Sequence, residues 1–177
     1  MTANLIMDAV MTEQLHYTDA TLRNVLSNVR TIAMVGASAD WKRPSFFAMK
    51  YLQRRGYRVN PVNPGRAGTE ILGEMCYASL ADIPGNIDMV DVFRANEAVA
   101  GIAEETIALA EEKQIKFLWL QLGIRNDEAA IKVEDAGVQV IMDRCPKIEF
   151  ARLSGELSWS GINSGIVTSK VLKAPRA

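Results

Sequence analysis

The chain has 177 residues, with 20 basic and 21 acidic side chains and a formal net charge of -1. Apolar residues make up 49% and charged residues 23%, the values of one globular domain of ordinary size, which argues against wholesale disorder. The absence of a basic excess for neutralising phosphates argues against a nucleic-acid partner. Cys76 and Cys145 stand far apart in different contexts, neither a disulfide framework nor a metal cluster, which suits a reducing compartment. Asp8 lies in the first ten residues and no basic n-region precedes an apolar core, so no signal peptide is read. No apolar run approaches the roughly 18 to 20 residues of a membrane span. The expectation is a soluble, cytoplasmic protein with no membrane or metal site.

In chain order, residues 1–30 form an N-terminal arm with one short helix, capped by Thr18-Asp19 and spaced apolar through Leu22, Val25, Leu26 and Val29. Residues 31–35 form a short apolar strand ending at Gly36. A helix follows over 45–55, opened by Pro44-Ser45 and closed by Gly56. A second strand covers 57–62. After a short segment at 69–72 and a helical turn near 79–83, a third strand covers 88–93. Asn96 is expected to cap the next helix, whose Val99, Ile102, Ala103, Thr106 and Ala110 share a face. A fourth strand at 116–120, a helix from Asn126 through Ala136 and a fifth strand at 138–142 complete the alternation. The strands are apolar throughout rather than alternating, so both sheet faces are covered. That predicts an α/β, Rossmann-like, doubly wound and mainly parallel sheet of about five strands over 31–153. The segment 154–177, rich in Ser and Gly, reads as an extension packed on the domain or frayed from it.

Ligands of such sheets bind beyond the carboxyl ends of the strands, where the strand order reverses. The first such loop reads Gly36-Ala37-Ser38-Ala39-Asp40-Trp41-Lys42-Arg43-Pro44-Ser45. Gly36 allows a tight turn, Ser38 and Ser45 supply hydroxyls, Lys42 and Arg43 supply charge, and a helix start offers free N–H groups. That chemistry suits a diphosphate. The G-x-G-x-x-G pattern of dinucleotide sites is missing, and no carboxylate follows the second strand to hold the ribose of NAD. Arg66 there would attract an additional ribose phosphate instead. On charge alone, coenzyme A and NADP both remain.

Several segments then carry a resemblance. Val35-Gly36-Ala37-Ser38, the run from Gly56 to Pro64, Ile71-Leu72-Gly73, Asp91-Val92-Phe93-Arg94, Trp119-Leu120-Gln121-Leu122-Gly123 and the run from Met142 to Glu149 occur in order with fitting spacing. Together they resemble the stand-alone CoA-binding domain proteins, relatives of the N-terminal domain of the succinyl-CoA synthetase alpha subunit. The resemblance implies coenzyme A or an acyl-CoA as cofactor, lying across the carboxyl ends of the strands. By position it implies that Gly36, Ala37, Ser38, Lys42, Arg43, Pro44 and Ser45 face the phosphates. Asn63 and Pro64 would flank the adenosine, with Arg66 toward the 3′-phosphate, and Phe93, Arg94, Gly123 and Ile124 would line the next strand ends. In the synthetase a second domain carries a phosphorylated histidine; this chain is expected to stop before such a domain, and its one histidine, His16, lies upstream of the sheet. The resemblance thus implies CoA binding without ligase activity.

The remaining chemistry-bearing residues have structural roles to set beside functional ones. Arg144 and Lys147 beside Cys145 would favour a thiolate and a redox or acyl-carrying thiol, yet no histidine is at hand as a base, so a buried strand-end residue is the simpler expectation. Cys76 reads as core. Asp88, Asp91 and Asp143 lie near strand ends without any acid–base or metal spacing, and are expected to be capping and solvated groups. The enzyme alternative is an NADP-dependent oxidoreductase, for which no Tyr-x-x-x-Lys is found, or a CoA-linked transferase completed by a partner chain. A pure interaction module without ligand is the third reading. A homo-oligomer or a partner protein is compatible with each.

Overall fold

The computed structural model describes residues 15–155. Helix α1 (Asp19–Asn28) leads into β1 (Thr31–Val35), α2 (Pro44–Arg54) and β2 (Arg58–Val62). A 3-10 turn (Pro64–Arg66) and a small antiparallel pair, β3 (Glu70–Ile71) with β4 (Glu74–Met75), follow. Then come β5 (Met89–Val92), α3 (Asn96–Lys113), β6 (Phe117–Leu120), α4 (Asp127–Asp135), β7 (Gln139–Ile141) and α5 (Pro146–Leu153). The five long strands form one parallel sheet in the order β2-β1-β5-β6-β7. This is the doubly wound, Rossmann-like α/β architecture expected from apolar strands with helical crossovers.

Each strand supplies side chains to two cores. Ile32, Met34, Met89, Phe117, Trp119 and Ile141 face α1, α2 and α5, packing with Leu22, Val25, Met49, Leu52 and Leu153. Ala33, Val90, Val92, Leu118, Leu120 and Val140 face the opposite way, against Val99 and Ala103 of α3 and Ala129, Ala130 and Val133 of α4. Period-two alternation is invisible in the sequence because both faces are dry. Helix α1, upstream of the 31–153 unit, buries Leu22, Val25 and Leu26 in the same core as the strands. Pro61 occupies the edge strand β2, where its missing N–H removes no ladder bond.

Three local expectations are corrected. Asn96 is the first residue of α3, not its cap; its Oδ1 accepts the Arg125 N–H at 3.0 Å, tying two loops instead. Residues 79–83 form a turn, not helix, because Asp82 Oδ2 accepts both the Ser79 N–H at 3.0 Å and the Ser79 hydroxyl at 2.7 Å. Helix α5 was not foreseen, although Pro146 at its first turn is a start signal. The segment 156–177 lies outside the described residues. Among those described, no helix is long and apolar enough to cross a membrane.

Candidate functional site

The strand order turns back between β1 and β5, so the loops after these strands diverge to opposite faces and leave a crevice. A cleft of about 1240 Å³ opens there and runs along the carboxyl edge. That volume exceeds what a drug-sized ligand fills and suits an extended one.

Gly36 makes the crevice possible. Its φ is +86°, its N–H donates to the Val62 carbonyl at 2.9 Å, and a Cβ there would lie 2.4 Å from the Phe93 carbonyl oxygen. The β1 loop thus passes directly over the end of β5, which no side chain at position 36 would allow. Beyond it the loop is folded by its own polar groups. Ser38 Oγ accepts the Asp40 N–H at 3.1 Å, and Asp40 Oδ1 accepts the Lys42 N–H at 3.0 Å. From β2, Asn63 donates through Nδ2 to the Ala37 carbonyl at 2.9 Å and accepts the Gly65 N–H at 3.0 Å. Both ends of the Asn63 amide therefore shape the loop.

Of the residues singled out in the sequence, Gly36, Ala37, Ser38, Lys42, Arg43, Pro44, Ser45, Asn63, Phe93, Arg94, Gly123 and Ile124 line the cleft. Pro64 and Arg66 do not; they stand in the adjoining 3-10 turn, exposed. Sequence reasoning did not place Phe47, Ala48, Asp143, Arg144, Cys145, Lys147 or Ile148 in the lining. The last five sit at the β7 end and on α5, and Pro146 was the overlooked signal for them.

The electrostatics favour an anion. Among the described residues Lys42, Arg43, Arg94, Arg144 and Lys147 line the cleft against one carboxylate, Asp143. Asp143 is itself engaged, accepting the Gly123 N–H at 2.7 Å with its backbone at φ +53°. Arg144 is held between Asp143 and the buried Glu149, at 3.9 and 3.8 Å. Three helices, α2, α3 and α5, start at cleft-lining residues Arg43, Ala95 and Cys145, and none has a hydrogen-bonded side-chain cap. Their positive dipole ends face the cleft, although Pro44 and Pro146 open α2 and α5 without an N–H, the Phe46 and Ala98 N–H groups donate to the Arg43 and Ala95 carbonyls, and the Ile148 and Lys147 amides lie at the Cys145 thiol.

Cys145 is buried, and its thiol is pushed up to about 11 by burial and by the nearby Asp91, which outweigh the amides of Ile148 and Lys147 and the Lys147 charge. It is a neutral thiol, so the basic neighbours do not activate it. Cys76 is buried too, its pKa raised by burial. The three aspartates part company. Asp88 sits at the amino edge, bound to the Arg30 and Thr31 amides and Lys116, which together outweigh its partial burial and hold its carboxyl below the ordinary value. Asp91 was expected to be solvated and is not: it is fully buried on β5, pushed up to about 7 by desolvation. His16 is exposed and outside the lining.

Comparison with known proteins agrees with this architecture. The model of the CoA binding domain family matches residues 30–151. The chain is 38% identical over 132 residues to the uncharacterized protein YneT of Bacillus subtilis, covering 75% of this chain and 93% of that one. A solved structure from Thermus thermophilus is 41% identical, with a TM-score of 0.72, covering 77% of this chain and 99% of its own. An ADP-forming acetate–CoA ligase of Archaeoglobus fulgidus is 33% identical over 102 residues, which are 56% of this chain but 14% of the ligase. Fold and strand order define a Rossmann-like α/β domain with a cleft at its carboxyl edge. The chain belongs to the CoA binding domain family.

Proposed function

We propose that the protein binds coenzyme A or an acyl-CoA non-covalently in this cleft, as a sensor, carrier or regulatory subunit in the cytoplasm, without ligase activity of its own. The observation that carries the reading is the convergence of three uncapped helix starts and unpaired basic side chains on one crevice. Among the described residues, Lys42, Arg43, Arg94 and Lys147 have no carboxylate partner, so their charge is available to phosphates. In this reading the diphosphate meets Gly36, Ala37 and Ser38 with Lys42, Arg43, Pro44 and Ser45. The adenosine lies by Asn63 and Pro64, Arg66 reaches the 3′-phosphate from just outside the cleft, and Phe93, Arg94, Gly123 and Ile124 border the pantetheine.

The family membership and the match to part of an acetate–CoA ligase support coenzyme A over NADP. Among the described residues no histidine lines the cleft, and the thiol that does is neutral. Isothermal titration with CoA, acetyl-CoA, NADP and NAD tests the reading. Binding of CoA and acetyl-CoA is expected. Binding of NADP with none of CoA would overturn it in favour of the oxidoreductase, and binding of neither would leave an interaction module.

A further inference from the structure

The adenosine and phosphate chemistry collects at the β2 and β1 ends, but the cleft continues past β5 to β6 and β7. At a strand spacing of ~4.8 Å, Gln121 after β6 lies ~10 Å along the sheet from the β1 loop, and Cys145 beyond β7 lies ~14 Å away. An extended pantetheine arm spans that distance, so the thiol end falls there. This placement rests on the reading of the cleft as a coenzyme A site.

The far end is built differently from the phosphate end. Gln121 is nearly buried, lines the cleft, and donates from Nε2 to Asp91 Oδ1 at 2.7 Å. Asp91 lies one layer below. It points to the face covered by α2 and α5, between Met34 of β1 and Trp119 of β6, and is fully buried. Among the described residues Gln121 is its one hydrogen-bond partner, and Oδ2 has none. A buried carboxyl with an empty acceptor is costly and rarely kept for packing alone. We propose that Gln121, oriented from beneath by Asp91, meets the sulfur end of the bound coenzyme and decides between the free thiol and an acyl thioester. Gln121 is the specificity residue and Asp91 its positioning residue.

The chemistry follows from the donor and acceptor rules. An ionised Asp91 only accepts, so the amide must turn its NH2 downward and present Oε1 to the cleft. That oxygen accepts from a thiol S–H and repels a thioester carbonyl. A protonated Asp91 gains an O–H that can donate to Oε1. The amide can then turn over and offer NH2 to a carbonyl oxygen. Met34 and Trp119 on the neighbouring strands and Ser45 and Ala48 on α2 carry no charge, while Asp143, Arg144, Cys145, Lys147 and the buried Glu149, which Arg144 and Arg152 approach, come from the β7 end and α5. Burial is the main influence on Asp91, opposed by the Gln121 amide, so its ionisation falls in a range where the switch can be titrated.

The test is calorimetry on the full chain with CoA, acetyl-CoA and adenosine 3′,5′-bisphosphate from about pH 6 to about pH 8. The expected result is a preference for CoA over acetyl-CoA that rises several-fold with pH in the wild type and is flat in Asp91→Asn, while the bisphosphate shows no such slope in either. Gln121→Ala is expected to weaken CoA and acetyl-CoA together and to remove the slope. A flat ratio in the wild type, or an unchanged slope in either variant, overturns the proposal while leaving the cleft reading intact. Failure of CoA and the bisphosphate to bind at all overturns the cleft reading itself, and this inference with it.

Discussion

Two sets of helices in this molecule begin differently. Helices α1 and α4 start away from the cleft lining, and each is closed by a side chain: Thr18 Oγ1 accepts the Thr21 N–H at 3.1 Å, and Asn126 Oδ1 the Ala129 N–H at 3.0 Å. Helices α2, α3 and α5 start at the cleft with Arg43, Ala95 and Cys145 in the cap position and no such bond. An unfilled cap costs about 1 kcal/mol of helix stability. Among the described residues it recurs at the three starts that share one crevice and at neither of the other two, and it leaves three positive dipole ends facing that crevice.

The contrast can be broken by substitution. The largest effect is expected for Gly36→Ala, which forces a Cβ to 2.4 Å from a backbone oxygen at positive φ. A loss of more than about 4 kcal/mol, or failure to fold, should appear in chemical denaturation. Next comes the pH dependence of stability. Asp91 ionises at about 7 in the folded protein, well above an unfolded aspartate, so the folded state holds the extra proton. Stability should therefore fall as pH rises from about 4 to about 7, by something on the order of a few kcal/mol, and Asp91→Asn should remove that slope in thermal melts. Asp19, Asp88 and Glu128 have lowered values and act oppositely, their contributions being lost only as the solution becomes more acid.

Arg43→Asp sharpens the comparison most directly, because it fills a cap at the cleft. It is expected to raise stability by about 0.5 to 1 kcal/mol while lowering CoA affinity about tenfold or more, measured by melting and titration on the same sample. The converse pair, Thr18→Ala and Asn126→Ala, should each lose about 1 kcal/mol of stability with CoA affinity unchanged. The smallest effect is expected for Lys147→Ala, a few-fold loss of CoA affinity that shrinks as salt is added.

Much of the cleft was legible because its first loop is local. Gly36 through Ser45 are consecutive, so their glycine, hydroxyls, bases and helix start read together as one loop at the strand end without any distant partner. The β7 end was not legible. Arg144, Cys145 and Lys147 read as strand-end residues until α5 was seen to begin there and turn them into the same crevice. Asp91 was misjudged for a related reason. In the sequence it is one carboxylate in an apolar strand, and only the packing of α2 and α5 over that face removes it from water.

The order of elements and the doubly covered strands follow from the sequence alone, since each depends on periodicity or composition. Tertiary structure decided which helix starts share a cleft, which side chains stay unpaired there, and the ionisation of Asp91 and Cys145. Those properties depend on burial and distance between segments far apart in the chain, and no local pattern encodes either.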